Sequence, residues 1–398
     1  MNYLEKLLQG APVEWKTLGE VCDFQNGFAF KSSLFKETGL PIIRITNVNG
    51  KTVDLSDLKY FDPNDYQKGN PLNYSIHKGD ILVAMSGATT GKLGYYNHEK
   101  PAYLNQRVGK FIPNSSKLNN KYLYHFLLSK TEFLYTLAGG GAQPNLSSTD
   151  IKEKIKIPIP PLPVQKEIAR ILDAFIAITS ELTSELTLRQ KQYQHYRDKL
   201  LTFGDEVEWK TLEEVLKRAK GTKITAGQMK ELHQENAPIK IFAGGKTFAL
   251  VNYGDIPDKD IHTKPSIIVK SRGIIEFEYY DKPFSHKNEM WSYYSEDENI
   301  CLKYVFYFLK SKETHFQQIG SKMQMPQIAT PDTDKFKIPL PPIEEQKRIA
   351  GILDKFHTLA HSLSEGLPKE IALRQKQYEY YRELLLNFKQ DEARFCMA

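Results

Sequence analysis

The chain has 398 residues, 40% of them hydrophobic, with a formal net charge of +6 at pH 7 and three cysteines. That length supports two or three domains with proper cores, whereas no apolar run approaches the roughly eighteen residues of a membrane helix and the opening MNYLEKLLQG has no signal core. Cys22, Cys301 and Cys396 are too scattered for a disulfide framework or zinc set, so the expectation is a soluble cytoplasmic protein whose mild positive charge permits a polyanionic partner without requiring one.

In chain order, Tyr3-Leu4-Glu5-Lys6-Leu7-Leu8 resembles Tyr196-Arg197-Asp198-Lys199-Leu200-Leu201, and Val13-Glu14-Trp15-Lys16-Thr17-Leu18 returns as Val207-Glu208-Trp209-Lys210-Thr211-Leu212. A first globular segment follows, with strands at 41–45 and 80–85 and one helix at 120–137, then the loop GGGAQPNLS. Next comes a stretch that occurs twice. PIPPLPVQKEIARILDAF, continuing to LRQKQYQHYRDKLLTF, is matched by PLPPIEEQKRIAGILDKF and LRQKQYEYYRELLLNF. Gln165, Asp173 and Phe175 recur as Gln346, Asp354 and Phe356 at one constant offset; Leu188 and Tyr193 recur as Leu373 and Tyr378 at an offset four residues longer. Between the copies lies a second globular segment with a strand at 266–269, a helix at 303–312 and the loop GSKMQMPQI in the place of GGGAQPNL. The flanks repeat, but 24–103 and 220–285 share almost nothing.

Prolines open each copy of the repeat, and apolar residues then recur four and three apart: Ile168, Leu172, Phe175, Leu182, Leu186, Tyr193, Tyr196 and Leu200 in the first, with Thr179 and Arg189 in the seam. The second uses Ile349, Leu353, Phe356, Ala360, Leu363, Leu367, Ile371, Tyr378, Tyr381 and Leu385. A stripe this narrow predicts long helices that pack lengthwise on each other rather than into separate cores. The four extra residues are a stutter, and Pro368 inside them should kink or divide the helix. The expected fold is α+β, with two globular domains in pseudo-two-fold arrangement separated by two long antiparallel helices. Its parts are 1–157 (first domain with the N-terminal helix scrap), 158–203 (central helix), 204–337 (second domain) and 338–398 (C-terminal helix).

Catalytic motifs do not appear. GATTGK is one residue short of a phosphate loop, and Leu93 stands where Ser or Thr is needed. There is no Asn-Pro-Pro-Tyr-type tetrapeptide, H-E-x-x-H, paired-cysteine set or G-x-S-x-G. The expectation is a chain with no catalytic and no metal residues.

GDILVAMSGATTGK, the Gln-Pro-Asn-Leu loop, PPLPVQKEIARILD and LRQKQYQHYRDKLL, in this order and across nearly the whole chain, resemble the specificity subunits of type I restriction-modification systems. The paired LRQKQY segments and the Thr-Ser-Glu-Leu tandem look most like the type IC branch. The second domain departs from the pattern by lacking GDILVAMSGATTGK. The resemblance implies a non-enzymatic subunit whose two target-recognition domains each read half of a gapped double-stranded DNA site. It implies two adenine-methyltransferase (M) subunits and restriction (R) subunits as partners in host defence, with S-adenosylmethionine, ATP and Mg on those partners, no cofactor on this chain, and no membrane. The helices would dock the partners and act as a ruler for the gap. Each Thr-Ser-Glu-Leu unit adds roughly 6 Å of helix, so a third would lengthen the gap by between one and two base pairs.

Base reading needs Arg for guanine and Asn or Gln for adenine, with basic groups on phosphate. In the first domain the candidates are Arg44, Thr46, Asn47, Ser86, Thr89, Thr90, Lys92, Asn105, Gln106, Arg107 and Gln143. In the second they are Lys246, Thr247, Lys270, Arg272, Lys287, Asn288, Lys322 and Gln324. The competing reading is a coiled-coil scaffold that assembles proteins and reads no DNA.

Overall fold

The structure, a computed structural model, describes residues 3–139, 144–321, 325–361 and 365–388. The elements of the first part are α1 (Tyr3–Leu8), β1 (Glu14–Thr17), β2 (Cys22–Asn26), β3 (Leu40–Ile43), β4 (Lys59–Phe61), β5 (Ser75–Ile76), β6 (Ile81–Ala84), β7 (Leu93–Tyr95), β8 (Ala102–Leu104), β9 (Val108–Pro113), α2 (Asn120–Ser129), α3 (Thr131–Leu137), α4 (Ser148–Lys154), β10 (Lys156–Ile159) and the 39-residue α5 (Leu162–Leu200). The remainder is β11 (Glu208–Thr211), α6 (Leu212–Val215), β12 (Lys217–Lys220), α7 (Ala226–Leu232), β13 (Ile239–Phe242), β14 (Phe248–Val251), β15 (Ser266–Lys270), β16 (Glu276–Tyr280), β17 (Phe284–His286), β18 (Trp291–Tyr294), α8 (Leu302–Ser311), α9 (Glu313–Gly320), α10 (Thr330–Asp334), β19 (Lys337–Leu340), α11 (Ile343–His361) and α12 (Gly366–Leu386).

The chain forms two compact units, residues 1–181 with 371–398, and residues 182–370. In the first, strands run in the order β2-β9-β6-β7 in one sheet and β4-β3-β8-β5 in another, with β3 and β8 parallel. Strand side chains alternate between faces. Ile81 and Val83 of β6 therefore pack with Leu123, Phe126 and Leu127 of α2, while Leu82 and Ala84 pack with Ile43 and Leu104 of the other sheet. This double burial explains the unbroken apolar run in β6. The second unit repeats the plan as β12-β18-β15-β16 and β14-β13-β17, again with β13 and β17 parallel. Ile267 and Val269 face Val305 and Phe308 of α8, and Ile268 faces Phe242 and Phe284.

The repeated flanks hold each unit in the same way. Trp15 lies opposite Pro158 in the β1–β10 pair and Trp209 opposite Pro339 in the β11–β19 pair. Gln165 is fully buried at the start of α5: its Nε2 donates to the carbonyls of Lys117 (3.0 Å) and Pro160 (2.8 Å), and its Oε1 accepts the Asn119 N–H (2.8 Å). Gln346 donates to Asn299 (3.2 Å) and Pro341 (2.8 Å) and accepts from Cys301 (2.9 Å). The buried hydroxyls of Tyr122 and Tyr304 each donate to a proline carbonyl, Pro158 and Pro339, at 2.9 Å. Within the first unit Phe175 stacks on Tyr381 (5.1 Å, 20°); within the second Tyr196 stacks on Phe356 (5.5 Å, 19°).

Two expectations are corrected, and the expected division of the second long helix is found. The 120–137 helix breaks at Lys130, whose backbone leaves the helical range, giving α2 and α3. Ile168 and Leu172 are fully buried in the first unit's core, and Ile349 and Leu353 in the second's, because the opening turns of each long helix dock on a globular domain instead of serving only a helix seam. Phe175, Leu182, Leu186 and Phe356 are half-buried, Tyr193 and Tyr378 are buried, and Leu363 lies outside the described residues. The second copy is divided into α11 and α12, with Pro368 in the first turn of α12. Gly366 at φ +72 adjoins the break, where a Cβ would lie 2.6 Å from the Thr358 carbonyl oxygen.

Candidate nucleic-acid interface

In the first unit four loops meet at one edge of the sheets. Thr89 Oγ1 donates to the Ile45 carbonyl (3.2 Å), tying the β6–β7 loop to the turn after β3. The Met85 N–H donates to Arg107 (2.8 Å), bringing in the β8–β9 turn, and Ser86 bridges Asn145 in the loop before α4. Close backbone approach sets the remaining geometry: a Cβ on Gly27 would lie 2.0 Å from the Asn105 carbonyl oxygen, so this position requires glycine.

The edge gathers most of the first-domain candidates but gives them different tasks. Thr46, Lys92, Gln106 and Arg107 are exposed. Arg44 is half-buried, with Nη2 on Asp57 Oδ2 at 2.9 Å and its Nε buried without a partner. Ser86 Oγ is likewise buried and unpaired. Asn105 is half-buried, its Oδ1 accepting the Arg107 N–H at 3.4 Å. Two residues are corrected to structural roles. Asn47 is 2% exposed and its amide is spent on Arg44 N–H and on the Asp54 and Asp57 carbonyls. Thr90 is buried, donating to Gly87 (2.6 Å) and Pro144 (3.3 Å). Gln143 lies outside the described residues.

The second unit builds the same edge from unrelated residues. The Ile328 N–H donates to Ser271 as Leu146 does to Met85, and Arg272 bridges Gln327 as Ser86 bridges Asn145. Gly273 (φ +81) then takes the place of Gly87 (φ +83). The Lys287 N–H donates to Phe242 as Asn105 does to Ile43, both at 3.0 Å, and Thr222 bridges Lys287 as Phe28 bridges Asn105. Gly221 matches Gly27, its Cβ position 2.2 Å from the His286 carbonyl oxygen. By this correspondence the exposed Lys246 and Thr247, on the β13–β14 turn, match the loop after β3.

Of the second-domain candidates, Arg272 and Asn288 are exposed. Lys287 is half-buried and paired with Glu289 at 2.7 Å. Lys270 is corrected: at 7% exposure it is held between Glu276 (2.6 Å) and Glu278 (2.8 Å). Burial works against its charge, but the two carboxylates outweigh that and hold its pKa above the usual lysine value. Lys322 and Gln324 lie outside the described residues. Sequence reasoning passed over Ile274 and Met325, which stand exposed beside Arg272; as apolar residues they read as core.

The chain is thus a duplicated α+β frame that holds two unlike loop edges. The family of type I restriction modification DNA specificity domains matches residues 12–189 and 204–373, and the chain belongs to it. It is 33% identical, over 99% of its length and 98% of the relative's, to a type I restriction enzyme specificity subunit of Escherichia coli. A second such subunit from E. coli is 30% identical over 92% of each chain. The crystal structure of a type I restriction-modification S subunit from M. genitalium superposes with a TM-score of 0.68 at 17% identity, covering 98% of this chain and all of that one. The chain is thus a DNA-specificity subunit, the recognition component of its system and not the catalyst. No described helix is long and apolar enough to cross a membrane.

Proposed function

We propose that each unit reads one half of a gapped, double-stranded DNA site through its loop edge, and that the long helices receive two adenine-methyltransferase subunits and, for cleavage, restriction subunits. The observation that carries this reading is the doubled edge: one set of backbone contacts presents Arg44, Thr46, Lys92, Gln106 and Arg107 in the first unit and Lys246, Thr247, Arg272 and Asn288 in the second. Exposed cations and amides on loops held by a rigid sheet suit phosphate contact and major-groove readout. S-adenosylmethionine, ATP and Mg belong to the partner subunits in this reading, and the complex works in the cytoplasm. Division into two reading units also favours DNA recognition over a scaffold, which would need only the helices.

The test is the adenine-methylation profile of the source cell with and without the gene. One bipartite, gapped motif should vanish on deletion. An unchanged profile in a cell that expresses the methyltransferase would overturn the proposal.

A further inference from the structure

Resting on that reading, we infer that the second unit recognises a guanine with Arg272 and the methyl group of a neighbouring thymine with Ile274. The argument begins with the cations of the edge. Lys270 is occupied by Glu276 and Glu278, and Lys287 by Glu289. Arg272 makes no ion pair among the described residues, and its Nε instead donates to Met325 Sδ at 3.1 Å. That contact engages one side of the guanidinium and leaves the two terminal nitrogens for an acceptor pair, the geometry that guanine O6 and N7 offer in the major groove. Lys246 is also outside every ion pair among the described residues, but it sits at the tip of the β13–β14 turn, where a flexible ammonium serves phosphate.

Position points the same way. Arg272 and Gly273 stand where the first unit has Ser86 and Gly87, at the centre of the loop edge. Gly273, with φ +81 and no atom within 4 Å of its Cβ position, turns the chain so that Ile274 follows on the outer side. Ile274 is 55% exposed and Met325 is 53% exposed. Two large apolar side chains left in water beside this arginine are a standing cost, recovered only when something covers them. In the major groove the one apolar base feature is the thymine C5 methyl. The first unit has Ala88 and Thr89 in the corresponding loop, so its edge is hydroxyl-rich where the second is apolar.

The experiment uses the full chain in complex with its methyltransferase subunits, bound to the gapped motif and to duplexes in which each thymine of the second half-site is replaced in turn by deoxyuridine. One replacement should weaken wild-type binding about fivefold and have no effect on the Ile274→Ala complex. Arg272→Lys, which keeps the charge and the fold, should lower discrimination at one guanine about tenfold while leaving the salt dependence of binding unchanged. If no deoxyuridine position matters, or if the sensitivity survives Ile274→Ala, the thymine assignment falls. If Arg272→Lys leaves every guanine equally discriminated, the arginine assignment falls. Both results would leave the DNA-reading proposal standing; that one fails instead if the wild-type complex binds the motif no better than scrambled DNA.

Discussion

The two units differ most along their loop edges and least where they are held together. In the first, β6 ends at Ala84 and leads through Met85-Ser86-Gly87 into a threonine-bearing loop; in the second, β15 ends at Lys270 and passes through Ser271-Arg272-Gly273-Ile274-Ile275 to β16. Yet one sheet has the same four-strand order in both units and the other matches over three strands, the two glycines share a backbone angle, and Gln165 and Gln346 make the same three hydrogen bonds. The lesson is that the frame is specified by buried polar latches and double-faced strands, which leaves the loops free to carry unrelated chemistry.

The sharpest way to break this comparison is at the latches. Gln165→Leu and Gln346→Leu each strand one buried N–H and two carbonyls, at about 3 kcal/mol apiece. Hydrogen exchange should show the first loosening α2 and the second loosening α8, each within its own unit. If one substitution is silent, the latches are not equivalent.

A pH titration should then separate the units. Leu104 pairs with Ile43 in the first unit, and His286 pairs with Phe242 at the matching place in the second. Burial lowers the His286 pKa to about 4 from an ordinary 6.5. Because the folded form holds the proton more weakly than the unfolded chain, this stability is present above pH 6.5 and is lost as pH falls toward 4, amounting to about 2 kcal/mol at pH 5. Denaturant unfolding of wild type and His286→Leu at pH 7 and pH 5 should show a smaller pH loss in the variant. His125 in the first unit is also lowered by burial, but Asp173, 3.0 Å away, opposes the shift.

The smallest effect sharpens the comparison instead. Tyr122→Phe and Tyr304→Phe each remove one hydroxyl bonded to a proline carbonyl, and each should cost about 1 kcal/mol in thermal unfolding. Equal losses would show that the frame is equivalent in energy as well as in geometry.

The frame was legible because its residues repeat: Gln165 with Gln346, Asp173 with Asp354, Phe175 with Phe356. Their tasks were not, since nothing in the string says that a glutamine at a helix start reaches back to three backbone groups. The likeness of the middles was hidden for a different reason. Gly27 matches Gly221, Ser86 matches Arg272 and Asn105 matches Lys287, so the spacing between partners changes at each loop and no fixed offset reveals it. Side-chain chemistry picked out loops that the fold brings to one edge, but Asn47, Thr90 and Lys270 are withdrawn from solvent by partners several residues away, a fact only folding creates.

The first unit also has a peculiar order of manufacture. Its core takes Tyr378, Leu385, Leu386 and Phe388 from the far end of the chain, beside Leu4 and Ile168, whereas the second unit's core is drawn from residues between Tyr193 and Leu353. Domains fold as they leave the ribosome, N-terminal portions first. Here that rule is inverted: the part begun first is finished last. Until the stretch from Tyr378 to Phe388 has been made, the first unit's core lacks those four side chains, so a chain cut before it would lose that closure while the second unit would keep its own.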